Sequence, residues 1–289
     1  MLTRRRLLAI AASLAATAPC SGIIGMVRTE PKKKFNFGAC DWSIGKGSNI
    51  EAFDVARQIG VDGIMVSMGF ESNNMHLRDK KLQQAYLDAS RKTNVKISSL
   101  AVTELNRIPY KSDPRTIEWV WDSIGVAVNL GVTVSMLPFF DKNDLRNDDQ
   151  GKKEVIKRLK QVAPHAEKNG IIIGLESYLS AAEHLQIIEQ VGSKNVKAYM
   201  DFRNTADAGF DVLKELRLLG RNNICELHMK ENGFLLGQGT LPWVRIRDLI
   251  NELGYYGDGW MQIEGAKPAN TDLLESYKHN LRFLKELFN

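Results

Sequence analysis

The stretch Ile171-Ile172-Ile173-Gly174-Leu175-Glu176-Ser177 is apolar almost without a break until its last two residues. A strand of a parallel sheet has this composition when helices cover both of its faces. Just before it, apolar side chains recur at steps of three and four, as on one face of a helix, at Val155, Leu159, Val162 and Ala166. Between the two patterns lies Asn169-Gly170, and glycine suits the left-handed residue that ends a helix. The region is therefore predicted to be a helix followed by a buried parallel strand.

The same unit of strand and helix recurs along the chain. Eight short β-rich runs are expected to be strands: Phe35–Trp42, Gly63–Gly69, Val95–Glu104, Val132–Phe139, Ile171–Tyr178, Val196–Phe202, Asn223–Lys230 and Gly259–Gly265. Amphipathic segments between and after them predict helices, among them Ile117–Leu130, Ala181–Val191, Phe210–Leu219, Trp243–Leu253 and Thr271–Leu287. Eight such units, in a chain close to the typical length of about 250 residues, predict a (β/α)₈ TIM barrel, an α/β fold. The barrel is expected to form a single domain over residues 28–289.

A doubly wound open sheet is the main alternative to the barrel. Such a sheet usually carries a glycine-rich phosphate-binding turn after its first strand. Here the first predicted strand leads into Asp41-Trp42-Ser43-Ile44-Gly45-Lys46-Gly47, which lacks the G-x-G-x-x-G spacing. The sequence therefore favours the closed barrel.

The overall composition is that of a globular protein rather than a disordered or polytopic membrane chain. Apolar residues make up 44% of the chain and charged residues 25%. The formal net charge is +5, but Arg4, Arg5 and Arg6 supply three of the 39 basic residues, and without them 36 basic residues face 34 acidic ones. Because no concentrated basic face is indicated, we expect no nucleic-acid partner.

Residues 1–27 are predicted to be an export signal peptide and a short linker. Thr3-Arg4-Arg5-Arg6-Leu7-Leu8 leads into an apolar run of twelve residues, Leu7–Ala18, whereas a membrane-spanning helix needs about 20. The pattern Thr-Arg-Arg-x-Leu-Leu resembles a bacterial twin-arginine signal, and a general secretory signal is the alternative. We therefore expect an exported, periplasmic protein without a membrane span, with Cys20 as a candidate site for a lipid anchor.

The ends of the last four predicted strands carry side chains of the kinds that bind metals. They are Glu176, Asp201, His228 and Glu264, which follow one another at intervals of 25, 27 and 36 residues, about one strand–helix unit each. Because successive strand residues face opposite sides, an inward His228 leaves its apolar neighbours pointing toward the helices, and the same holds for Glu176 and Glu264. The four side chains are expected to meet at the carboxyl end of the barrel, where barrel active sites lie.

A cluster with this composition predicts a metal ion. Three carboxylates so close would repel one another unless a cation compensated their charge. Three oxygen ligands and one imidazole suit a divalent ion with an octahedral preference. We predict one divalent metal ion, with Mn²⁺ as the first choice and Mg²⁺, Co²⁺ or Zn²⁺ as alternatives.

The motifs around these residues resemble those of the xylose-isomerase-like superfamily, the sugar phosphate isomerase/epimerase family. The resemblance extends over residues 35–289 and is carried by Gly174-Leu175-Glu176, Met200-Asp201-Phe202-Arg203-Asn204, Glu226-Leu227-His228-Met229-Lys230, Leu236-Gly237-Gln238-Gly239 and Ile263-Glu264. It implies a TIM barrel whose metal ligands are Glu176, Asp201, His228 and Glu264. In the epimerase branches of the family the two glutamates also serve as acid and base. Asn204 departs from the branches that have histidine at this position.

Five further residues are predicted to contact a sugar substrate, because they lie near the ligands or at a strand end: Asn204, Lys230, Tyr178, Gln262 and Trp42. For the first four, a role in holding the ligands is an equal alternative, and Trp42 either stacks on a sugar ring or packs in the core. Deeper in the barrel, Lys197 and Glu226 share the inward parity of their strands, and we predict a structural ion pair between them.

Together these features predict an exported, metal-dependent isomerase or epimerase of sugars or keto-sugars. The reaction would proceed through an enediolate, with Glu176 and Glu264 as acid and base. A lyase, dehydratase or hydrolase acting on oxidised sugars or glycosides is the first alternative, and a non-catalytic carbohydrate-binding barrel is the second. A nuclease resembling the superfamily's DNA-repair branch is disfavoured, because Asn204 stands in place of one of its extra histidine ligands. Assembly into a homo-oligomer stays open.

Overall fold

Eight parallel strands form the centre of the computed structural model, which describes residues 35–255 and 259–288. The strands are β1 Asn36–Cys40, β2 Gly63–Ser67, β3 Lys96–Ala101, β4 Val134–Phe139, β5 Ile172–Ser177, β6 Val196–Asp201, β7 Ile224–Met229 and β8 Trp260–Ile263. Each lies within one of the eight runs expected from the sequence. Most of the predicted runs extend past the strands because their last residues turn into the loops at the carboxyl end, whereas the run Val132–Phe139 differs from β4 only by starting two residues earlier.

The sheet closes on itself. Every strand pairs in parallel with the next, and β1 also pairs with β8, with Asn36 opposite Trp260 and Ala39 opposite Ile263. Closure excludes the open doubly wound sheet and confirms the (β/α)₈ barrel. It also means that the loops after all eight strands surround one opening, although they are far apart in the sequence.

Helices connect the strands and cover the outside of the barrel. The α-helices are α1 Ala52–Ile59, α2 Lys80–Thr93, α3 Arg115–Leu130, α4 Asp149–Asn169, α5 Ala181–Val191, α6 Phe202–Asp207, α7 Val212–Leu219, α8 Trp243–Glu252 and α9 Leu273–Phe288. Gly131 and Gly170 end α3 and α4 with positive φ angles of 71° and 68°, as the sequence predicts. Among the helices of residues 35–255 and 259–288, none is long and apolar enough to cross a membrane.

The inside of the barrel holds a polar network around Glu226. Its Oε2 accepts hydrogen bonds from Ser99 Oγ and Tyr199 Oη, each at 2.9 Å. The predicted ion pair between Lys197 and Glu226 is therefore wrong, since neutral donors satisfy the carboxyl. Burial raises the pKa of Glu226 to about 7, although these hydrogen bonds favour its ionised form. The alternation of side chains along β7 correctly predicted that Glu226 points into the barrel, but it did not predict which groups bond to it.

The predicted export signal lies outside the described residues. This applies to the twin-arginine motif, to the apolar run Leu7–Ala18 and to Cys20. These predictions therefore stand as they were made from the sequence.

Candidate metal centre and substrate cavity

The four predicted metal ligands meet at the carboxyl end of the barrel. Glu176 and Asp201 lie at the ends of β5 and β6, His228 lies in β7, and Glu264 directly follows β8. Asp201 and His228 are register partners, and Glu264 continues the ladder by donating its backbone N–H to the Met229 carbonyl oxygen. One ligand atom from each of the four residues can be chosen so that all lie within 4.8 Å of one another.

The imidazole of His228 is completely buried among the carboxylates. Its Nδ1 lies 2.9 Å from Glu176 Oε1, 3.8 Å from Asp201 Oδ2 and 3.6 Å from Glu264 Oε2. The other ring nitrogen, Nε2, faces Cys40 Sγ at 3.4 Å. Nδ1 is therefore the nitrogen that this arrangement offers to a cation, while Nε2 can carry the remaining proton.

Two carboxylate oxygens in the cluster support a cation site. Asp201 Oδ2 is buried and accepts no hydrogen bond, which is uncommon for a buried polar atom. Glu264 Oε2 is also buried and lies 2.8 Å from Lys230 Nζ. The other oxygen of Asp201, Oδ1, accepts the backbone N–H of Asn204 and so caps the short helix α6. Each carboxylate thus keeps one oxygen for the cluster, and this donor set fits a divalent ion.

The protonation states show how strongly the cluster needs positive charge. Burial raises the pKa of Asp201 to about 7, with Glu264 and Glu176 adding to the shift and Lys230 opposing it. Burial alone would lower the pKa of His228, but the neighbouring carboxylates, Glu176 first, raise it well above its usual value. Burial also opposes the ionisation of Glu264, but Lys230 and His228 lower its pKa to about 2. Protons and one lysine therefore balance the carboxylates here, and a divalent ion would replace those protons.

Lys230 and Asn204, two predicted substrate contacts, lie beside the ligands. Lys230 Nζ is 2.8 Å from Glu264 Oε2 and 3.7 Å from Asp201 Oδ2. Asn204 Nδ2 donates to Glu176 Oε1 at 3.2 Å. Both side chains line the cavity above the cluster, so each is placed to contact a substrate as well as a ligand.

Trp42 and Tyr178 line the same cavity, which has a volume of about 330 Å³. The Trp42 indole Nε1 donates to Glu264 Oε1 at 2.8 Å, a contact that the sequence did not suggest. Tyr178 packs edge-on against Phe140, with ring centroids 4.9 Å apart. Trp42 thus holds a carboxylate, and Tyr178 forms part of the cavity wall.

Gln262 does not lie where the sequence analysis expected it. Its side chain is fully buried, and Nε2 donates to Ser98 Oγ at 2.7 Å. Gln262 precedes Glu264 by two residues on the same face of β8, so it lies one layer deeper in the barrel. Gly38 on β1 leaves room for it, because a Cβ there would lie 2.0 Å from Gln262 Oε1. The residue supports the floor of the barrel and does not line the cavity.

Several cavity residues were missed by the sequence analysis. Phe70 and Phe140 lie in the loops after β2 and β4, and Met136 and Pro138 lie on β4 itself. Position was the available signal for Phe70, Pro138 and Phe140, which lie near or after the carboxyl end of a strand, whereas Met136 lies within β4. Their residue types carry no chemical motif, so the sequence alone does not distinguish them from ordinary core residues.

A second cavity, of about 740 Å³, lies at the opposite end of the barrel. It is lined by residues at or before the starts of strands, including Thr133, Ile172 and Ile224. None of the four clustered ligands lines it. The second cavity is the larger of the two, but Glu176, Lys230 and Glu264 line the 330 Å³ cavity. The 330 Å³ cavity is therefore the candidate active site.

Comparison with known proteins agrees with this architecture. A family model described as "Xylose isomerase-like TIM barrel" matches residues 53–287, most of the chain. The chain belongs to the xylose isomerase-like TIM barrel family. The predicted family resemblance is therefore confirmed, and the four-residue cluster lies within the matched part of this family member.

Two curated proteins are similar in sequence to this member of the xylose isomerase-like family. A D-psicose 3-epimerase from Enterocloster bolteae is 24% identical over 128 residues, a match that covers 41% of this chain and 42% of that protein. The chain thus spans less than half the length of this relative. A 2-epi-5-epi-valiolone 7-phosphate 2-epimerase from Actinoplanes sp. is 27% identical over 271 residues, covering 84% of this chain and 98% of that protein.

Solved structures share the fold. A D-psicose 3-epimerase with D-tagatose from Clostridium cellulolyticum H10 matches with a TM-score of 0.73 and 16% identity, covering 88% of this chain and 100% of that one. A 3-keto-D-glucoside 4-epimerase from E. coli matches with a TM-score of 0.69 and 16% identity, with the same two coverages. At these identities the likeness concerns the barrel itself, so the chemistry has to be argued from the site.

Proposed function

We propose that the protein is a carbohydrate isomerase or epimerase that uses a divalent metal ion and moves a proton at a carbon next to a carbonyl group. The observation that carries the proposal is that Glu176 on β5 and Glu264 at the end of β8 both belong to a cluster of metal-binding side chains and both line one cavity. Both curated relatives described above are named as epimerases. Binding alone would not need two carboxylates at one cavity, so the arrangement favours catalysis.

The metal would be held by Glu176, Asp201, His228 and Glu264, with Mn²⁺ as the first choice for three oxygen donors and one nitrogen donor. When bound, a divalent ion supplies Lewis-acid stabilisation of negative charge that develops on substrate oxygens. The fit rests on the buried Asp201 Oδ2, which accepts no hydrogen bond, and on the ligand atoms of the four residues, which lie within 4.8 Å of one another.

Neighbouring donors orient both glutamates, and Glu264 is contacted at both oxygens because Lys230 Nζ lies 2.8 Å from its Oε2. Glu176 Oε1 accepts from Asn204 Nδ2 and faces His228 Nδ1, while Glu264 Oε1 accepts from Trp42 Nε1. These contacts fix the orientation of each carboxylate, as proton transfer over a short distance requires. One glutamate would accept the proton from carbon, and the other, in its protonated form, would return a proton. Return to the opposite face gives an epimer, and return to the adjacent carbon gives an isomer.

A solvent-exchange experiment tests this proposal. The Mn²⁺-loaded protein is incubated in D₂O with a panel of ketoses and keto-sugars, and the products are analysed by NMR. We expect deuterium to enter one C–H position of a substrate, which identifies the carbon and separates epimerisation from isomerisation. If the metal-loaded, folded protein catalyses no exchange across the panel, the proposed reaction type is wrong.

Trp42→Phe is expected to reduce kcat ~10-fold or more at saturating metal. The substitution keeps an aromatic ring but removes the N–H that holds Glu264 Oε1, and a hydrogen bond to a charged group contributes about 1.5–3 kcal/mol. Steady-state kinetics measures the effect. Trp121→Phe, on the exposed face of α3, is the matched control and should keep the rate. A Trp42→Phe enzyme within two-fold of the parent would show that this contact does not position the carboxylate.

We also propose that residues 1–27 export the folded protein by the twin-arginine route. The support is the Thr-Arg-Arg-x-Leu-Leu pattern followed by a short apolar run. Fused to a folded reporter, the segment should carry it to the periplasm, and replacement of Arg4 and Arg5 by lysine should stop export. Continued export in a strain without the twin-arginine machinery would instead assign the segment to the general secretory route.

A further inference from the structure

The cavity has two walls of different chemistry. One wall holds the charged groups Glu176, Lys230 and Glu264, which come from the β5, β7 and β8 ends. The other wall comes from the ends of β2, β3 and β4, and the described residues that form it are uncharged: Ser67, Phe70, Thr103, Asn106, Met136, Pro138 and Phe140. Because the reacting carbons must lie at the two glutamates, the rest of the substrate lies against this neutral wall.

The cavity offers little positive charge for an anionic substituent. Among the described residues that line it, Lys230 is the one cation. Its Nζ lies 2.8 Å from Glu264 Oε2 and 3.7 Å from Asp201 Oδ2, so its charge is used to balance the carboxylates. Lys230 belongs to the charged wall, so a phosphate bound against the neutral wall would lie on the other side of the cavity from this cation.

The arginines beside the neutral wall are already paired with acids. Arg146 lies over the Tyr178 ring, 4.3 Å from its centroid, and its Nη2 is 2.6 Å from Asp144 Oδ2. Arg107, in the segment after β3, contacts Glu104 at 2.5 Å and Glu71 at 2.7 Å. Among the described residues that line the cavity, a phosphate on this wall would contact no cation, and it would lose part of its hydration without an ion pair in return, which is unfavourable.

The same wall suits the uncharged face of a sugar. The rings of Phe140 and Tyr178 pack against each other with an interplanar angle of 76°, and the guanidinium group of Arg146 lies over the Tyr178 ring. These contacts hold the two aromatic rings in place. Fixed aromatic faces bind the apolar C–H surface of a ring while nearby polar groups such as Asn106 and Thr103 can bond to hydroxyls. Geometry and charge therefore favour a ligand with hydroxyls and no ionised group.

We propose that the substrate is an uncharged, unphosphorylated sugar whose non-reacting end packs on Phe140 and Tyr178. This inference rests on the proposed function and makes it more specific. In this respect the proposed substrate is like that of the first curated relative, which is named for an unphosphorylated sugar, and unlike that of the second, which is named for a 7-phosphate.

Matched substrate pairs test the inference. The Mn²⁺-loaded protein is assayed in D₂O with D-fructose, D-tagatose and L-ribulose and with the terminal phosphate ester of each. We expect kcat/KM for exchange to favour the neutral member of the reactive pair by ~10²-fold or more, since the ester buries an unpaired charge. Exchange that is equal or faster with a phosphate ester would overturn the inference and leave the proposed function intact. Exchange with no member of any pair would instead contradict the proposed function, and the inference with it.

A charge-introducing variant provides a second readout. Phe70→Arg places a cation on the neutral wall, and the backbone contact of residue 70 with Asn73 Oδ1 is kept. We expect the preference for the neutral sugar over its phosphate ester to fall at least ~10-fold. Trp121→Arg adds the same charge on the outer face of α3 and should leave the preference unchanged. An unchanged preference in Phe70→Arg would show that the neutral wall does not select against phosphate.

Discussion

With saturating Mn²⁺, the Glu176→Gln and Glu264→Gln variants are expected to turn over at least ~10²-fold more slowly than the parent, the low end of general acid–base effects. Glutamine keeps one carbonyl oxygen, which can still coordinate a divalent ion, although more weakly than a carboxylate, and saturating Mn²⁺ compensates for the weaker binding. Glutamine cannot accept a proton at neutral pH. The structure should therefore persist while proton transfer fails, as measured by deuterium exchange and steady-state kinetics.

The control variants separate proton transfer from metal binding. In Asp201→Asn, the amide oxygen can keep the contact with the Asn204 N–H that Oδ1 now makes, which leaves an NH₂ group facing the cluster. This variant should lose metal affinity and recover part of its activity as Mn²⁺ is raised. Glu275→Gln, on α9 outside the cavity, should behave like the parent. If both Gln variants regain near-full rates at high metal, the two-glutamate mechanism is wrong even if the metal site exists.

Removal of the metal should abolish activity, and addition of Mn²⁺ should restore it. Metal analysis should find about one ion per chain, and at a free Mn²⁺ concentration ~1,000-fold above its Kd the folded state should gain about 4.1 kcal/mol. Binding should release protons near neutral pH, because His228 Nδ1 and its neighbouring carboxylates must give up the protons they share. Calorimetry in two buffers with different ionisation enthalpies measures that release.

Two histidine variants, one in the cluster and one at the surface, test whether the metal binds at the predicted site. His228→Ala removes the buried imidazole and should eliminate binding, whereas His165→Ala, at the surface where His165 stacks on Trp121, should not affect it. Activity that survives complete chelation would show that the reaction does not need the metal. Unchanged Mn²⁺ affinity in His228→Ala would show that the ion binds elsewhere.

Local pattern was sufficient to predict the elements and the direction of key side chains. Apolar runs such as Ile171–Leu175 marked the strands, because a strand covered on both faces must be apolar on both. Alternation along each strand then placed His228, Glu176 and Glu264 on the inside. Parity is a property of a single strand, so it can be read from sequence without knowledge of the neighbours. Apolar residues at steps of three and four likewise predicted most of the helices, and glycines such as Gly170 marked helix ends.

Contacts between distant strands were decided only by the tertiary structure. Trp42 and Glu264 are 222 residues apart in sequence and form a hydrogen bond because β1 pairs with β8 in the closed barrel. The tertiary structure also decided the depth of Gln262, which faces the same side as Glu264 but lies one layer deeper and bonds to Ser98. It likewise decided the partners of Glu226, which are neutral donors such as Ser99 and not Lys197. Alternation along a strand fixes which face a residue takes, whereas height and partners depend on how eight strands are staggered around the barrel. Neutral residues such as Phe140 form a cavity wall only once that closure brings their loops together.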